Sequence, residues 1–269
     1  MSDRSRKVRA GDVTLHVHEW GEGAPLLMAH GLGMSCELWV RQVAALSRGY
    51  RMIAVDLRGF GQSDRPTEPG SYAVEKFAQD LVALAHELGL SRMHLLGTSM
   101  GGFVAQALAL QAPQLLSSLI LCHTACRMSI PADVLEVRLA ALRTASMEEY
   151  GRMVAKQALA PGAEPVLHEW LAGLVARNDR EAYTRVLVEG LSQFDLASEV
   201  HAIRVPTLVL VGELDRIIPP EGGRELARRI PGAELTLLGG VGHIGYAERP
   251  DAFNDAVLEF LGRQDRSPA

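Results

Sequence analysis

Gly97-Thr98-Ser99-Met100-Gly101 is the stretch whose reading decides the fold. It has the form Gly-x-Ser-x-Gly. The apolar run Met93-His94-Leu95-Leu96 precedes it, and Gly102 to Leu110, of helix-forming composition, follows it. This order predicts a sharp turn from a strand into a helix, with the Ser99 hydroxyl pushed out at the sheet edge. The glycines suit a strained turn against which another backbone packs. Five residues of common types also match by chance, so the rest of the chain must supply a base, an acid and an oxyanion hole.

A serine hydroxyl is a poor nucleophile at neutral pH. It needs a base to take its proton, and the base needs a carboxylate to hold its tautomer. Of the 9 histidines, His243 stands out, because Gly239-Gly240-Val241-Gly242-His243 follows the last apolar run. A histidine just past a strand's carboxyl end lies where such sheets bind ligands. The acid is expected between serine and histidine in chain order. Asp215, after Val211-Gly212-Glu213-Leu214, takes that role, and its rival Glu213 is expected to face solvent or cap the turn. The oxyanion hole needs two backbone N–H groups. Met100, after the nucleophile, and Leu32, in His30-Gly31-Leu32-Gly33, are the expected donors. His30 is expected to hold that loop rather than act as a base.

The composition suits one domain. The chain has 269 residues, 48% hydrophobic and 22% charged, enough for a single sizeable core. A net charge of -5 argues against nucleic acid or an anionic membrane as partner. The basic run Arg4 to Arg9 reads as a solvated tail. Cys36, Cys122 and Cys126 form an odd set without framework spacing, which fits a reducing, cytoplasmic setting. Cys122 and Cys126 lack the partner pair of a zinc site, so no metal is expected. The N-terminus has no apolar signal region. Met93 to Cys126 carries no charged residue, yet glycine, glutamine and proline interrupt it, so it reads as strand, helix and strand rather than a membrane span.

Val13–Trp20 alternates like an antiparallel edge strand. Short apolar runs then recur at Pro25–Ala29, Met52–Val55, Met93–Leu96, Leu119–Cys122, Thr207–Val211 and Leu235–Leu238, as in a parallel sheet buried on both faces. Helical patterns lie between them, among them Phe77, Leu81, Leu84, Ala85 and Leu88. The alternation predicts an α/β fold with a mostly parallel, doubly wound sheet. It stops between about Ser129 and Ala197, where Ser146-Met147-Glu148-Glu149 forms a capping box. Residues 129–197 read as a small helical cap inserted after the sixth strand. Residues 1–128 and 198–269 read as the core. The alternative is that these helices cover one sheet face. The tail after Leu261 is expected to fray.

With these motifs assembled, the chain resembles the α/β-hydrolase fold superfamily. The resemblance rests on His30-Gly31-Leu32-Gly33 with Trp39, Asp56-Leu57-Arg58-Gly59-Phe60-Gly61-Gln62-Ser63-Asp64, the Ser99 turn, Gly212-Glu213-Leu214-Asp215 and Gly242-His243. Asp56, Arg58 and Asp64 look like the family's structural turn. Ser99 stands where haloalkane dehalogenases and epoxide hydrolases carry aspartate. Within the serine branch, Val205–Asp215 and Ala141–Glu149 look most like 3-oxoadipate enol-lactonases and related esterases.

The resemblance implies a hydrolase of a small carboxylic ester or lactone that works through an acyl-enzyme and without a cofactor. Its alternatives are a C–C bond hydrolase of an aromatic-degradation diketone, a cofactor-free perhydrolase or haloperoxidase, and a non-catalytic ligand receptor on the same scaffold. Trp39, His123, Trp170 and Phe194 are candidate substrate contacts, as are Leu171, Leu174, Met100 and the Met128–Ile130 segment. Each also fits core packing. A substrate carboxylate would need a cation, for which Arg127 and Arg138 are candidates. A homodimer through the cap or the edge strand is compatible with the sequence.

Overall fold

The computed structural model describes residues 3–128 and 130–266. The strands are β1 (Asp3–Ala10), β2 (Val13–Trp20), β3 (Ala24–Ala29), β4 (Tyr50–Asp56), β5 (Met93–Thr98), β6 (Leu116–Cys122), β7 (Thr207–Gly212) and β8 (Glu234–Leu238). They form one sheet in the order β1-β2-β4-β3-β5-β6-β7-β8. β2 runs antiparallel to both β1 and β4, and every later pairing is parallel. The result is the mostly parallel, doubly wound sheet that the strand–helix alternation predicts.

The helices are α1 (Val40–Leu46), α2 (Val74–Glu87), α3 (Met100–Gln111), α4 (Ala132–Thr144), α5 (Met147–Ala158), α6 (Pro165–Ala176), α7 (Arg180–Arg185), α8 (Pro220–Arg229), α9 (Gly245–Glu248) and α10 (Pro250–Gln264). The central strands are buried on both faces because their side chains are apolar on both. Leu26, Leu27, Leu95, Leu96 and Ile120 are fully buried, each contributing about 1.5–3 kcal/mol. α3 is apolar all round and correspondingly enclosed. Parallel strands joined by right-handed crossovers put their carboxyl ends on one edge. The loops after β3, β5, β7 and β8 therefore meet there, carrying Leu32, Ser99, Asp215 and His243.

Helices α4 to α7 fall between β6 and β7. The capping box is formed: Glu149 N–H donates to Ser146 Oγ at 3.1 Å, and Ser146 N–H to Glu149 Oε2 at 2.8 Å. α7 runs on into a π-helical stretch, Val186–Leu191. Ser129, the expected first cap residue, lies outside the described residues.

Three expectations are corrected. Arg4 to Arg9 is not a solvated tail but lies in β1, so Val13–Trp20 is the second strand and not the edge. Ala10 and Val13 pair across the two-residue turn Gly11-Asp12, a hairpin signal the charged composition masked. The Arg and Lys side chains point to solvent and blunt the exposed edge. The segment after Leu261 is also ordered as far as Asp265. Its carboxylate accepts a hydrogen bond from Tyr50 Oη at 2.6 Å and lies 3.2 Å from His94 Nε2. The rest of that expected tail, Ser267–Ala269, lies outside the described residues.

The Asp56–Asp64 turn is held by buried charge. Asp56 accepts from the N–H groups of Cys36 (2.6 Å) and Gln62 (2.9 Å) and from His16 Nδ1 (2.8 Å). Arg58, 1% exposed, grips both oxygens of Asp80 at 2.6 and 2.5 Å and also reaches Ser71 O and Asp12. Asp64 accepts from Thr14 N–H at 2.7 Å. These residues tie the turn to β2 and α2. Arg58→Met would leave Asp80 buried without its cation, and urea unfolding should show a loss of about 3–5 kcal/mol. A loss below about 1 kcal/mol, the worth of a surface pair, would contradict this account.

Candidate active site

Ser99 sits between β5 and α3 with φ 52° and ψ −117°. A non-glycine residue in the left-handed region stores about 1–3 kcal/mol of strain, which surrounding packing must hold. The packing is visible. A Cβ at Gly97 would lie 2.2 Å from Gly101 O, and one at Gly101 would lie 2.3 Å from Ala29 O. Ser99 N–H donates to Cys122 O at 2.9 Å, while Ser99 O accepts from Gly102 N–H, Phe103 N–H and Thr124 Oγ1. The backbone is thus fixed on both sides, and the half-buried side chain makes no hydrogen bond among the described residues.

His243 Nδ1 donates to Asp215 Oδ2 at 2.7 Å. The other carboxylate oxygen accepts from the N–H groups of Ile217 and Ile218, both at 2.9 Å. Both side chains are buried, His243 at the mouth of the site and Asp215 behind it. Burial alone would raise the Asp215 pKa. The His243 imidazole, which is hydrogen-bonded to the carboxylate, and the His123 ring 3.6 Å away outweigh it and hold the carboxyl well below the usual range. Glu213 makes no such contact and instead accepts from Gly240 N–H at 2.8 Å, capping the turn.

The loop after β3 crosses over Ser99. A Cβ at Gly31 would lie 3.2 Å from Ser99 Cβ. His30 holds this loop: Nε2 accepts from Leu57 N–H at 3.0 Å, so Nδ1 carries the proton and donates to Gly31 O at 2.7 Å. Burial depresses the His30 pKa and keeps it neutral. In a trans peptide the N–H points opposite to the C=O, so the Leu32 N–H is turned away from His30. Among the described residues, neither Leu32 N–H nor Met100 N–H has an acceptor.

Ser99 and His243 open into a cavity of 430 Å³. Its walls come from α4, α5, α7 and the π-helical stretch. They are mainly aliphatic, including Met34, Val134, Val137, Met153 and Leu187. The polar exceptions include Arg138, Tyr150, Gln157 and Tyr183. Met128 lines it as expected, but the predicted aromatic contacts do not. Trp39 is fully buried against Tyr246, Trp170 lies on α6 away from the cavity, and Phe194 stacks at 4.2 Å behind Phe103, which is the ring at the wall. His123 is enclosed behind Asp215, its Nδ1 3.6 Å from Asp215 Oδ2. Leu171, Ile130 and Met100 also stay outside the lining, and Leu174 borders a separate cavity. Arg127 is paired with Glu225 at 3.2 Å, whereas Arg138 faces the cavity without an ion pair or hydrogen bond among the described residues.

Sequence reasoning missed most of the lining because it favoured large aromatic side chains. The available signal was the stripe Val134, Val137, Arg138 and Ala141 on α4, spaced for one helix face. His123, Asp215 and His243 could also place three ligand atoms within 4.8 Å of one another. However, Asp215 already receives four short or near contacts from nitrogen, which occupies its oxygens as a hydrogen-bonded acid.

A family model for the alpha/beta hydrolase fold matches residues 24–160, and one described as TAP-like protein matches residues 191–267. The chain belongs to the α/β-hydrolase fold family and is an enzyme of the hydrolase class. It is 32% identical to a 2-hydroxy-6-oxononadienedioate/2-hydroxy-6-oxononatrienedioate hydrolase of Cupriavidus pinatubonensis, over 95% of this chain and 93% of that one. It is similar to the crystal structure of the enol-lactonase from Burkholderia xenovorans LB400, with TM-score 0.88, 32% identity and coverage of 96% and 100%. A thermophilic esterase from Thermogutta terrifontis matches with TM-score 0.87, 28% identity and coverage of 97% and 99%. Among the described residues, no helix is long and apolar enough to cross a membrane.

The geometry predicts that a serine-directed phosphonate modifies Ser99 and no other serine, as read by peptide mass spectrometry. Asp215→Asn should slow that reaction by up to the roughly 10⁴-fold that a wrong imidazole tautomer costs. Because the Asp215 carboxyl titrates below its unfolded value, its interactions stabilise the fold above about pH 3.9 and are lost only as the pH falls towards the folded value. Ser99 reactivity should therefore show no loss in mildly acidic buffer that tracks protonation of the Asp215 carboxylate.

Proposed function

We propose that this enzyme hydrolyses a small carboxylic ester or lactone through an acyl-enzyme on Ser99. The observation that carries the reading is the His243–Asp215 pair, at 2.7 Å, sharing one apolar cavity with a strained, half-buried serine. His243 Nε2 takes the Ser99 proton as Oγ attacks the carbonyl carbon. Charge on the carbonyl oxygen is met by the unpaired Leu32 and Met100 N–H groups, each such donor being worth about 10²–10³ in rate. The imidazolium then protonates the departing alkoxide. Water, losing its proton to His243, attacks the acyl carbon, and the imidazolium returns that proton to Ser99 Oγ as the acyl–oxygen bond breaks and the acid leaves. Asp215 stays ionised throughout and stabilises the imidazolium. None of these steps needs a metal or an organic cofactor.

The aliphatic walls suit an apolar acyl or alcohol part, and Arg138 suits a carboxylate on the substrate. The enol-lactonase and esterase relatives support this class. The oxononadienedioate hydrolase relative supports a second reading, hydrolysis of a C–C bond next to a ketone by the same three residues.

p-Nitrophenyl acetate and butyrate, a panel of lactones and a vinylogous diketone, assayed beside Ser99→Ala, separate the two. Ester or lactone turnover that depends on Ser99 is expected. Turnover of the diketone alone would favour C–C hydrolysis, and no Ser99-dependent ester or lactone turnover would sink the leading reading. Arg138→Met should raise KM about tenfold for substrates bearing a free carboxylate, the cost of one charged hydrogen bond, while sparing neutral esters. An equal effect on both would remove Arg138 from substrate recognition.

A further inference from the structure

The last turn of an α-helix leaves carbonyls without intrahelical partners. In α5 those carbonyls are taken up by the two loops that carry Asp215 and His243. His243 N–H donates to Ala158 O at 2.7 Å. Arg216, next to Asp215, donates from Nη2 to Lys156 O at 2.7 Å and to Leu159 O at 2.9 Å. A cation at a helix C-terminus is also favoured by the helix dipole. The backbones are in direct contact, since a Cβ at Gly242 would lie 2.5 Å from Ala158 O and 2.7 Å from Ala160 N.

Glu248 closes this ring of contacts. It ends α9, and its side chain turns back toward the histidine loop. Oε1 accepts from Gly242 N–H and Oε2 from Ala160 N–H, both at 2.9 Å. One carboxylate therefore bridges the residue before His243 and the residues just after α5. Hydrogen bonds from N–H to carboxylate are the strong kind. The earlier turns of α5 meanwhile line the cavity through Tyr150, Met153, Val154 and Gln157.

We infer that Glu248 is a positioning residue, which clasps the end of α5 to the histidine loop and sets where His243 stands relative to Ser99. The inference rests on the roles proposed above for Ser99 and His243. On this account α5 is a fixed wall of the site rather than a lid, because it cannot lift without releasing both loops. A reacting group displaced by about 1 Å can lose about 10²-fold in rate. Loss of the clasp should therefore appear in kcat and leave KM nearly unchanged, as the cavity walls stay in place.

The test compares Glu248→Ala, Glu248→Gln and Ser146→Ala with the wild-type enzyme on p-nitrophenyl butyrate, with thermal midpoints measured in parallel. Ser146→Ala removes the N-cap at the opposite end of α5, so it loosens the helix without touching the clasp. Glu248→Ala is expected to lower kcat by roughly 10- to 100-fold. Glu248→Gln, which keeps one carbonyl acceptor, should fall between it and wild type. Ser146→Ala should lower the thermal midpoint and keep kcat. Wild-type kcat in Glu248→Ala would overturn the clasp while leaving the hydrolase reading intact, provided Ser99→Ala is inactive. A kcat loss in Ser146→Ala equal to that in Glu248→Ala would also overturn it, since helix stability alone would then explain both. Should the wild type turn over neither this ester nor any lactone, the ester and lactone reading fails by itself. The rate of phosphonate reaction at Ser99 then decides the clasp, slower labelling in Glu248→Ala supporting it and equal labelling overturning it.

Discussion

The site depends on one close approach, the start of α3 against the end of β3. A side chain at Gly101 would lie 2.3 Å from Ala29 O and 2.7 Å from His30 O, so only glycine lets the helix come this near the sheet. That contact holds the left-handed conformation at Ser99. The same contact brings the loop after β3 over the serine, with Gly31 beside Ser99 Cβ. Ser99 and the loop that carries Leu32 are therefore placed by one packing constraint. The strain at Ser99 is sustained by the buried core beneath it, where β3, β5 and α3 pack without charged groups.

The other half of the site is polar and is held by hydrogen bonds. Asp215 is buried, and a buried carboxylate is tolerable only when its oxygens are paired. Two backbone N–H groups and His243 supply the partners, with His123 standing at 3.6 Å. Those same partners keep Asp215 ionised and the His243 ring oriented, so the bonds that make the burial tolerable are also the ones the proposed chemistry needs. The helices between β6 and β7 join this network at Ala158, Leu159 and Ala160. They cover the cavity and brace its base at once.

Much of this was legible in the sequence because it depends on local chemistry. Gly97, Gly101, Asp215 and His243 sit at strand ends, where residue type and chain order state the geometry. The sheet was legible from continuous apolar runs, which only a strand buried on both faces explains. The hairpin β1–β2 was obscured because its outer strand is charged, a composition that suits an edge strand and a tail equally well. The cavity wall was harder still. Which face of α4 or α5 meets the substrate depends on how helices pack across long sequence separations, and aliphatic residues such as Val137 carry no chemical mark. Glu248 was missed for a related reason. It lies five residues beyond His243, and its partner Ala160 is distant in sequence.

The central claim is that Ser99 becomes acylated. The direct measurement is mass spectrometry of enzyme quenched in acid during turnover of p-nitrophenyl butyrate, followed by peptide mapping. The account predicts a butyryl group on Ser99, accumulating further in a variant whose deacylation is slowed, and none in Ser99→Ala. Turnover with no acyl group at Ser99, or with the group on another residue, would contradict it.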